Sequence, residues 1–510
     1  MKQLKLFLII VILSNTKTNA QNRSGHSWLF GLGRGMEAIF TDTSMPPIHI
    51  KYPNPPNYFW QGHSNICDSA TGRLLFSCNG MLLYDSNGVI MENGDSLVPT
   101  EAYIHNPFPN AMHTQNSLIL PKGSSGHYYV FIATVSDSLY NAIWAPQLGD
   151  RAPFDLLMYN LVDINANGGL GKVLEKNKVL LKNVELHKIR MQACRHHNGR
   201  DWWLLKQGRY GTNEMYRFLV RPDTILGPFV QTFPNPKYST WDLFGQMAFS
   251  PDGKKLAMVH CYQSELFIAD FDRCSGELSN TKIVRIPYDS TTIPNPPPQE
   301  TIDSIVAGVC FSPNNQFIYV SKWYNIYQYE WNQPDSSLAW YRVQHGPDTT
   351  YLHFQNFNSL HNGPDGRIYI GNTAGQFKQM SVIDHPDTKG AGAGFCRKCF
   401  RLDDTTLFAF GTPPGLPDFN LGAASGICWP LNSSEIGDVS AVADEMLEVY
   451  PNPTNSVIYI KNKKGKKKEL YNLVGELLFT TTKDEIEVYN LPKGIYLFRC
   501  ESQVRKLVVK

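Results

Sequence analysis

A short unit recurs along residues 21–430 and constrains the fold more than any other feature: a turn of Gly, Asn, Asp and Ser, then a run of β-branched and aromatic residues. Its six copies are SATGRLLFSCNGMLLYD at 69–85, KGSSGHYYVFIAT at 122–134, HNGRDWWLLKQG at 197–208, FSPDGKKLAMVH at 249–260, FSPNNQFIYVS at 311–321 and GPDGRIYIGN at 363–372. Gly and Asn tolerate the positive φ angles of tight hairpins, and the runs that follow have the composition of strands. Because helical periodicity is almost absent, we predict an all-β chain.

The copies recur about every 50–75 residues, the scale of one four-stranded propeller blade with its loops. We therefore predict one β-propeller over residues 21–430, with six blades visible in the repeats. Pairing of residues 27–31 with residues 425–430 would complete a seventh blade and remove exposed sheet edges. Two β-sandwich domains are the alternative. The turns FSPDG and FSPNN resemble the corresponding turn of WD-repeat-like propellers.

The first 20 residues have the parts of a signal peptide. Lys2 and Lys5 precede the apolar run LFLIIVIL at 6–13, which is shorter than the roughly 20 residues that span a bilayer. We predict cleavage between Ala20 and Gln21; a buried strand or an uncleaved anchor is the alternative. No later segment is apolar enough to span a membrane, so the mature chain is expected to lack a transmembrane segment.

Charge is distributed unevenly along the chain. Residues 446–510 carry 12 Lys+Arg against 7 Asp+Glu, whereas residues 21–445 carry 32 Lys+Arg against 38 Asp+Glu. Residues 21–445, which we call the head, are therefore net acidic. Phosphate contacts require a basic surface, so this charge argues against a nucleic-acid partner. Residues 431–445 are small and polar, and we interpret them as a linker between two domains.

The ten cysteines suit an exported protein. Cys67 and Cys78 flank a turn and could face each other across a hairpin, and Cys396 and Cys399 form a C-x-x-C motif. We predict local disulfides or free thiols at these positions. A zinc or redox role for the motif lacks a second C-x-x-C and a βαβ context. No metal and no cofactor are predicted.

Residues 446–510 follow a different pattern of short strands separated by Pro and Gly turns. The motifs VYPNPT at 449–454, YNLVGE at 471–476, LPKGIY at 491–496 and KLVVK at 506–510 occur in order. A segment of this length can form only a small β-domain, and we predict a β-sandwich.

These motifs closely resemble the type A C-terminal sorting domain of the type IX secretion system. The residues that carry the resemblance are Tyr450, Pro451, Asn452, Pro453, Gly475, Gly494, Tyr496 and Lys506. Asn472 stands where the family commonly has Asp. The resemblance implies handling by the type IX machinery, passage from the periplasm through the outer membrane, and a secreted or surface-attached product. A Pro- and Gly-punctuated β-domain without a sorting role is the alternative.

A search for chemistry finds no catalytic motif. The stretch from Asp163 begins like a calcium-binding loop, but Leu174 stands where the bidentate acid is required, so a plain turn is favoured. His196 and His197 are adjacent on a strand and would face opposite ways, which favours a structural role. Gly31, Gly33 and Gly35 lack the context of a nucleotide-binding loop.

Two functions remain. The first is a binding or adhesion module for an extracellular glycan or protein. The second is a secreted hydrolase or lyase with its site in the central funnel of the propeller. Clustered carboxylates or a His with a perturbed pKa in a cleft would favour the enzyme. An aromatic platform without titrating groups would favour the binding module.

Overall fold

A computed structural model describes most of the chain. The described residues are 21–31, 36–41, 46–51, 59, 61–98, 101, 104–105, 115–144, 153–209, 212–233, 245–261, 263–287, 306–322, 325–335, 338–344, 357–372, 379–401, 412–425, 428, 448–461, 465–472, 476–500 and 503–510. The predicted signal peptide at 1–20 and the predicted linker at 431–445 lie outside them. The helical segments among the described residues that lie in the head are short: Asp137–Leu139, Tyr140–Trp144, Asn167–Gly169 and Gly390–Ala393.

The head is built from antiparallel sheets, as the repeated turns predicted. Two sheets have three described strands each: β1 (Ser27–Phe30), β2 (Met36–Ile39), β3 (Ile48–Lys51); and β4 (Ser64–Cys67), β5 (Leu74–Cys78), β6 (Leu83–Asp85). A seven-stranded sheet contains β7 (Ser117–Pro121), β8 (His127–Thr134), β9 (Phe154–Asp163), β10 (Lys172–Arg195), β11 (Trp202–Gly208), β12 (Glu214–Val220) and β13 (Ile225–Thr232).

Three further sheets have four strands each. They contain β14 (Met247–Phe249), β15 (Lys255–His260), β16 (Glu265–Phe271), β17 (Leu278–Arg285); β18 (Val306–Phe311), β19 (Phe317–Lys322), β20 (Asn325–Glu330), β21 (Trp340–Gln344); and β22 (Phe357–Asn362), β23 (Ile368–Asn372), β24 (Gln379–Ile383), β25 (Phe395–Arg401). In each of these sheets the strands follow chain order, so every neighbour is reached through a hairpin.

The turn residues of the repeats build these hairpins. Ser250 Oγ donates to Asp252 Oδ1 (2.6 Å) and accepts from Lys255 N (2.9 Å), while Gly253 has a φ of 69°. Ser312 occupies the equivalent place in the next sheet, where its Oγ bonds Asn314 Oδ1 (2.8 Å) and accepts from Phe317 N (2.9 Å). The same side-chain-to-backbone pattern therefore starts both hairpins.

The sheets follow one another in a ring. The first strand of one sheet contacts the first strand of the next in the pairs β1–β4, β4–β7, β14–β18 and β18–β22. The seven-stranded sheet contacts the sheet that follows it through its central strand, β10, which packs against β14. The last sheet returns to the first, because Trp28 and Phe40 pack edge-on against Tyr369, at 5.2 and 5.8 Å between ring centroids. The head is thus all-β and propeller-like.

The expected pairing of residues 27–31 with residues 425–430 is not observed. Strand β1 pairs with β2 from Ser27 to Phe30. Of the second segment, the described residues Ser425 and Cys428 lie in no strand, and Cys428 is bonded to Cys274. Aromatic packing, rather than this strand pairing, brings the first and last sheets together.

The described part of residues 446–510, which we call the tail, forms two antiparallel sheets. One contains β26 (Glu448–Tyr450), β27 (Val457–Lys461) and β30 (Glu485–Glu487), and the other β29 (Leu477–Thr481), β28 (Lys468–Tyr471), β31 (Gly494–Cys500) and β32 (Gln503–Val509). Ile458 and Ile486 of the first share one buried cluster with Leu470 and Phe498 of the second. Within the described part of the chain, no helix has the length and apolarity needed to cross a membrane.

Candidate functional site

The strands through which neighbouring sheets contact one another around the ring, among them β10, β14, β18 and β22, are called the inner strands here. A cavity of about 310 Å³ lies at the ends of these four strands. The ends of β10, β14, β18 and β22 line it on one side, and a segment that follows the last sheet lines it on the other. The hairpin turns that begin at Ser250 and Gly363 reach its rim. Strands from four different sheets therefore contribute to one site.

Residues 412–425, which we call the strap, cross this end of the ring. Gly415 N donates to His63 O (2.8 Å), and Arg273 Nη2 donates to Gly422 O (2.5 Å). The main chain of the strap is thereby fixed to two sheets that are distant in sequence. Because its backbone groups are paired at these points, the strap is an integral wall of the cavity.

Apolar side chains also hold the strap. Phe419 packs edge-on against Trp202 at 5.8 Å between centroids and joins the largest hydrophobic cluster of the head. Leu421 packs on a second cluster, which includes Trp203. Leu416 contacts the cluster that joins the first and last sheets. The strap thus connects parts of the ring that are not neighbours in the chain.

A disulfide between Cys274 and Cys428 fixes the chain just after the strap. The two cysteines are 154 residues apart. Sequence reasoning missed this pair, because neither cysteine belongs to a short motif and no local spacing connects them. His196 lies beside the bond, with Nε2 3.6 Å from Cys428 Sγ, and burial lowers the pKa of its imidazole.

Two glutamines fill the middle of the ring. Gln246 Nε2 donates to Leu360 O (2.8 Å), and its Oε1 accepts from Leu360 N (2.9 Å) and Val309 N (3.2 Å). Gln115 makes the equivalent pair of bonds to the N and O of Met247. Each amide bridges inner strands that are not adjacent in the ring. Gln246 is also a wall of the cavity.

Two histidines in the cavity wall have an unpaired ring nitrogen. Nδ1 of His26 lies 2.9 Å from Phe40 O, which can only accept, so Nδ1 carries the proton and Nε2 is left as an acceptor. His26 Nε2 and His361 Nε2 are both buried, and neither has a hydrogen-bond partner within the described parts of the chain. A buried polar atom without a partner costs free energy, and such atoms commonly bind a ligand or water.

Both imidazoles are neutral at pH 7. Burial lowers the pKa of His26, opposed in part by its bond to Phe40 O. Burial, and secondarily the nearby His63, lowers the pKa of His361 to about 3. The cavity therefore offers hydrogen-bonding nitrogens without positive charge from these two residues.

The other titratable or nucleophilic side chains of the wall are engaged in structure. Ser250 Oγ belongs to the hairpin turn described above. Cys194 is buried, its Sγ lies 3.7 Å from Arg195 O, and burial raises the pKa of its thiol. Asp418 Oδ1 accepts from Asn420 N (2.8 Å) within the strap. Asp418 is the one carboxylate among the described residues that line the cavity.

The possible Cys67–Cys78 disulfide does not form in this structure. Both are free, buried thiols whose pKa burial raises to about 12. The register places Cys67 opposite Leu74 and Cys78 opposite Ser64, so the two lie at opposite ends of the β4–β5 pair. The turn between the two strands was identified correctly. Cys67 lies next to this turn, however, whereas Cys78 lies at the far end of the strand pair. Cys396 and Cys399 do form a disulfide, within β25.

The remaining sequence candidates take part in turns. Asp163 Oδ1 accepts from Asn165 N (2.9 Å), and Asp163 Oδ2 lies 3.9 Å from His127 Nε2. His196 Nδ1 accepts from Asn198 N (3.1 Å) at the hairpin after β10. Neither place brings together three metal-ligating side chains, and no such group exists elsewhere in the described residues.

Hydrogen bonds connect several of the sorting-motif residues to other parts of the tail. Asn452 Nδ2 donates to Lys506 O, and Asn452 Oδ1 accepts from Val508 N (2.9 Å). Tyr496 Oη donates to Pro492 O (2.6 Å) within the turn that precedes β31. The first motif is therefore attached to the last strand. Tyr450, Pro451 and Pro453 are exposed, as is Lys506; Gly494 begins β31 and Gly475 lies outside the described residues.

Comparison with known proteins identifies the tail. Residues 448–510 match the family model described as the secretion system C-terminal sorting domain. The tail is a sorting domain of this kind, as its motifs predicted. No curated protein matches the chain.

Solved structures similar to the chain include lactonase-like proteins. A putative 6-phosphogluconolactonase from Bacteroides fragilis NCTC 9343 shares 10% identity at a TM-score of 0.42, with 76% of this chain and 97% of that chain covered. The periplasmic gluconolactonase of Pseudomonas aeruginosa shares 12% identity at a TM-score of 0.33, with 95% and 100% covered. Likenesses this weak carry no activity over to the chain.

Proposed function

We propose that this chain is an exported binding protein whose head binds a glycan in the cavity beneath the strap. Its sorting domain indicates export by the type IX system and a secreted or cell-surface location. The proposal places signal-peptide cleavage after Ala20 and passage through the periplasm before this step. The cavity is close to the lower limit of small-molecule sites, which span about 300–1,000 Å³.

The unpaired Nε2 atoms of His26 and His361 support this proposal most strongly. A sugar hydroxyl can donate to one nitrogen and accept from a neighbouring donor, which would relieve the cost of the buried atom. Further polar groups in the wall are uncharged amides, among them Gln192 and Asn362. Apart from Asp418, the polar groups of the described wall are uncharged, which suits a neutral glycan better than an anionic ligand.

A hydrolase is less well supported. A glycosidase requires two carboxyl groups facing the scissile bond, and Asp418 is the one described carboxylate of the wall. The perturbed pKa of His361 would favour an enzyme only if it lay near the working pH. A pKa of about 3 makes the His361 imidazole a poor general base.

The proposal also includes the number of blades in the head and the arrangement of the two sheets in the tail. We take the seven-stranded sheet as two blades that share β10, since β10 pairs with β9 along its first part and with β11 from Leu186 onward. The head would then have seven blades. The two sheets of the tail share one buried cluster, which is the arrangement of a β-sandwich.

Glycan-panel screening of the purified mature protein tests the function. The expected result is binding of a neutral glycan that the His26→Leu and His361→Leu variants lose while they remain folded, as a cooperative melting transition would show. His105→Leu, at an exposed position, is the matched control and should bind normally. Binding that survives both cavity substitutions would overturn the assignment of the site, and cleavage of a panel member would establish the hydrolase.

A further inference from the structure

The ten cysteines of the chain differ sharply in exposure. Six are buried free thiols, and Cys274–Cys428 holds the chain after the strap. Cys396 and Cys399 form the second disulfide, and Cys399 alone among the ten is exposed. Thiol exchange requires access to a sulfur atom, so this disulfide is the more accessible of the two to another protein.

The local fold directs Cys399 outward. Strand β25 is the outermost strand of its sheet, and it pairs with β24. The register passes from Val382–Cys396 to Met380–Phe400, so residues 397–399 bulge opposite a single residue of β24. A bulge on an edge strand interrupts the ladder and turns its residues away from the sheet. The disulfide closes this bulge on the outermost strand of the sheet.

The short loop that the disulfide closes contains two basic residues. Arg397 and Lys398 separate the two cysteines, and the Arg397 guanidinium lies over the rings of Phe357 (5.0 Å) and Phe395 (5.9 Å). Neighbouring cations stabilise a thiolate and so make a cysteine a better leaving group. The buried free cysteines lack such exposure, and burial raises the pKa of four of them.

We propose that Cys396–Cys399 is an exchangeable disulfide that oxidises a dithiol in an extended segment of another exported protein. A client thiolate attacks Sγ of Cys399, the Cys396–Cys399 bond breaks, and Cys396 leaves as a thiolate that takes up a proton. The second client thiol, after losing its proton, attacks the client sulfur of the mixed disulfide and releases Cys399. The client gains a disulfide and the motif becomes a dithiol, so one turnover needs no other oxidant.

The edge strand supplies the place for the client. The proposal places the client along β25, where an extended segment would hold its cysteine near Cys399. This site is separate from the cavity beneath the strap, and the proposal does not depend on glycan binding.

Mass spectrometry after quenching and alkylation tests the exchange. The full mature protein is incubated with an extended synthetic peptide that contains two reduced cysteines. We expect stoichiometric oxidation of the peptide and alkylation of Cys396 and Cys399, while Cys274–Cys428 in the same molecule stays intact. The Cys396→Ser/Cys399→Ser variant should lose peptide oxidation, and the Arg397→Gln/Lys398→Gln variant should react more slowly.

Three results would overturn the proposal. They are an unchanged Cys396–Cys399 bond in the parent protein, peptide oxidation by the double Ser variant, and equal reduction of both disulfides. The first and third are measured on the parent protein, so a folding defect in a variant cannot obscure them. Glycan binding by the double Ser variant separates a failure here from a failure of the proposed function.

Discussion

Single buried polar groups determine much of the chemistry of this molecule. Burial, and secondarily the nearby His63, disfavours the charged form of the His361 imidazole, and its Nε2 has no hydrogen-bond partner within the described parts of the chain. Arg190 is fully buried as well, yet it stays satisfied because its nitrogens donate to Gly245 O (3.1 Å), Val259 O (2.7 Å) and Gln207 Oε1 (2.8 Å). The contrast distinguishes a structural polar group from one that is available to a ligand.

The lowered pKa of His361 predicts an acid-sensitive head. Between the ordinary pKa of about 6.5 and the folded value of about 3, the unfolded chain binds a proton that the folded chain does not. The free energy of unfolding should therefore fall as the pH drops through this window, by at most about 1.4 kcal/mol per pH unit for this group. Urea denaturation at several pH values should show a shallower fall in His361→Leu, and an identical fall would contradict the account.

Lys468 is a second buried polar residue with a testable role. Its Nζ donates to Asp484 Oδ1 (2.7 Å), Lys466 O (3.1 Å) and Thr482 O (3.3 Å), and its side chain is fully buried. Lys468→Met should weaken the tail by about 1–3 kcal/mol, because partners are left unpaired. Hydrogen exchange of the β28 amides in the full chain measures this. Lys493→Met, at an exposed position, is the control, and equal exchange in both variants would show that Lys468 adds no stability.

At the scale of elements, the strap replaces the strand pairing that sequence reasoning expected at the end of the head. The repeated turns could be recognised because Ser250, Asp252 and Gly253 act within five residues of chain. The strap could not, because its contacts join Gly415 to His63 and Gly422 to Arg273, and these pairs share no local pattern. Similarly, the β4–β5 hairpin was predicted, whereas its register, which separates Cys67 from Cys78, depends on packing across the sheet.

The two disulfides should contribute unequally to stability. Cys274–Cys428 closes a loop of 154 residues, and removing such a bond costs about 2–5 kcal/mol. We therefore expect Cys274→Ser/Cys428→Ser to lower the melting temperature markedly. The matched control Cys396→Ser/Cys399→Ser opens a loop of only a few residues and should lower it less. A larger loss in the control would contradict this assignment of the strap.

At the scale of the whole molecule, two β-rich parts have separate sources of stability. The head has its own hydrophobic clusters, and the tail has one cluster made entirely of its own residues. The sequence motifs predicted the tail closely, because they are ordered along a short segment that the family model also matches. The cavity beneath the strap could not be predicted, since its walls come from residues that are hundreds of positions apart.

Deletion of residues 446–510 should leave the head folded but prevent its export. The head buries its own core, so its melting temperature should stay close to that of the full protein. Without the sorting domain, the truncated protein should remain in the periplasm. Cell fractionation and thermal melting of both forms measure these effects. Surface delivery of the truncated form would contradict the sorting role, and loss of folding would place the domain boundary elsewhere.

A crystal structure of the head with the strongest glycan from the panel tests the central claim most directly. The account predicts the sugar in the cavity beneath the strap, with hydroxyl groups within hydrogen-bonding distance of His26 Nε2 and His361 Nε2. The inner strands and the strap should keep their positions, because both are already fixed by backbone hydrogen bonds. A glycan bound elsewhere on the head, with both nitrogens unpaired or bonded to water, would contradict it.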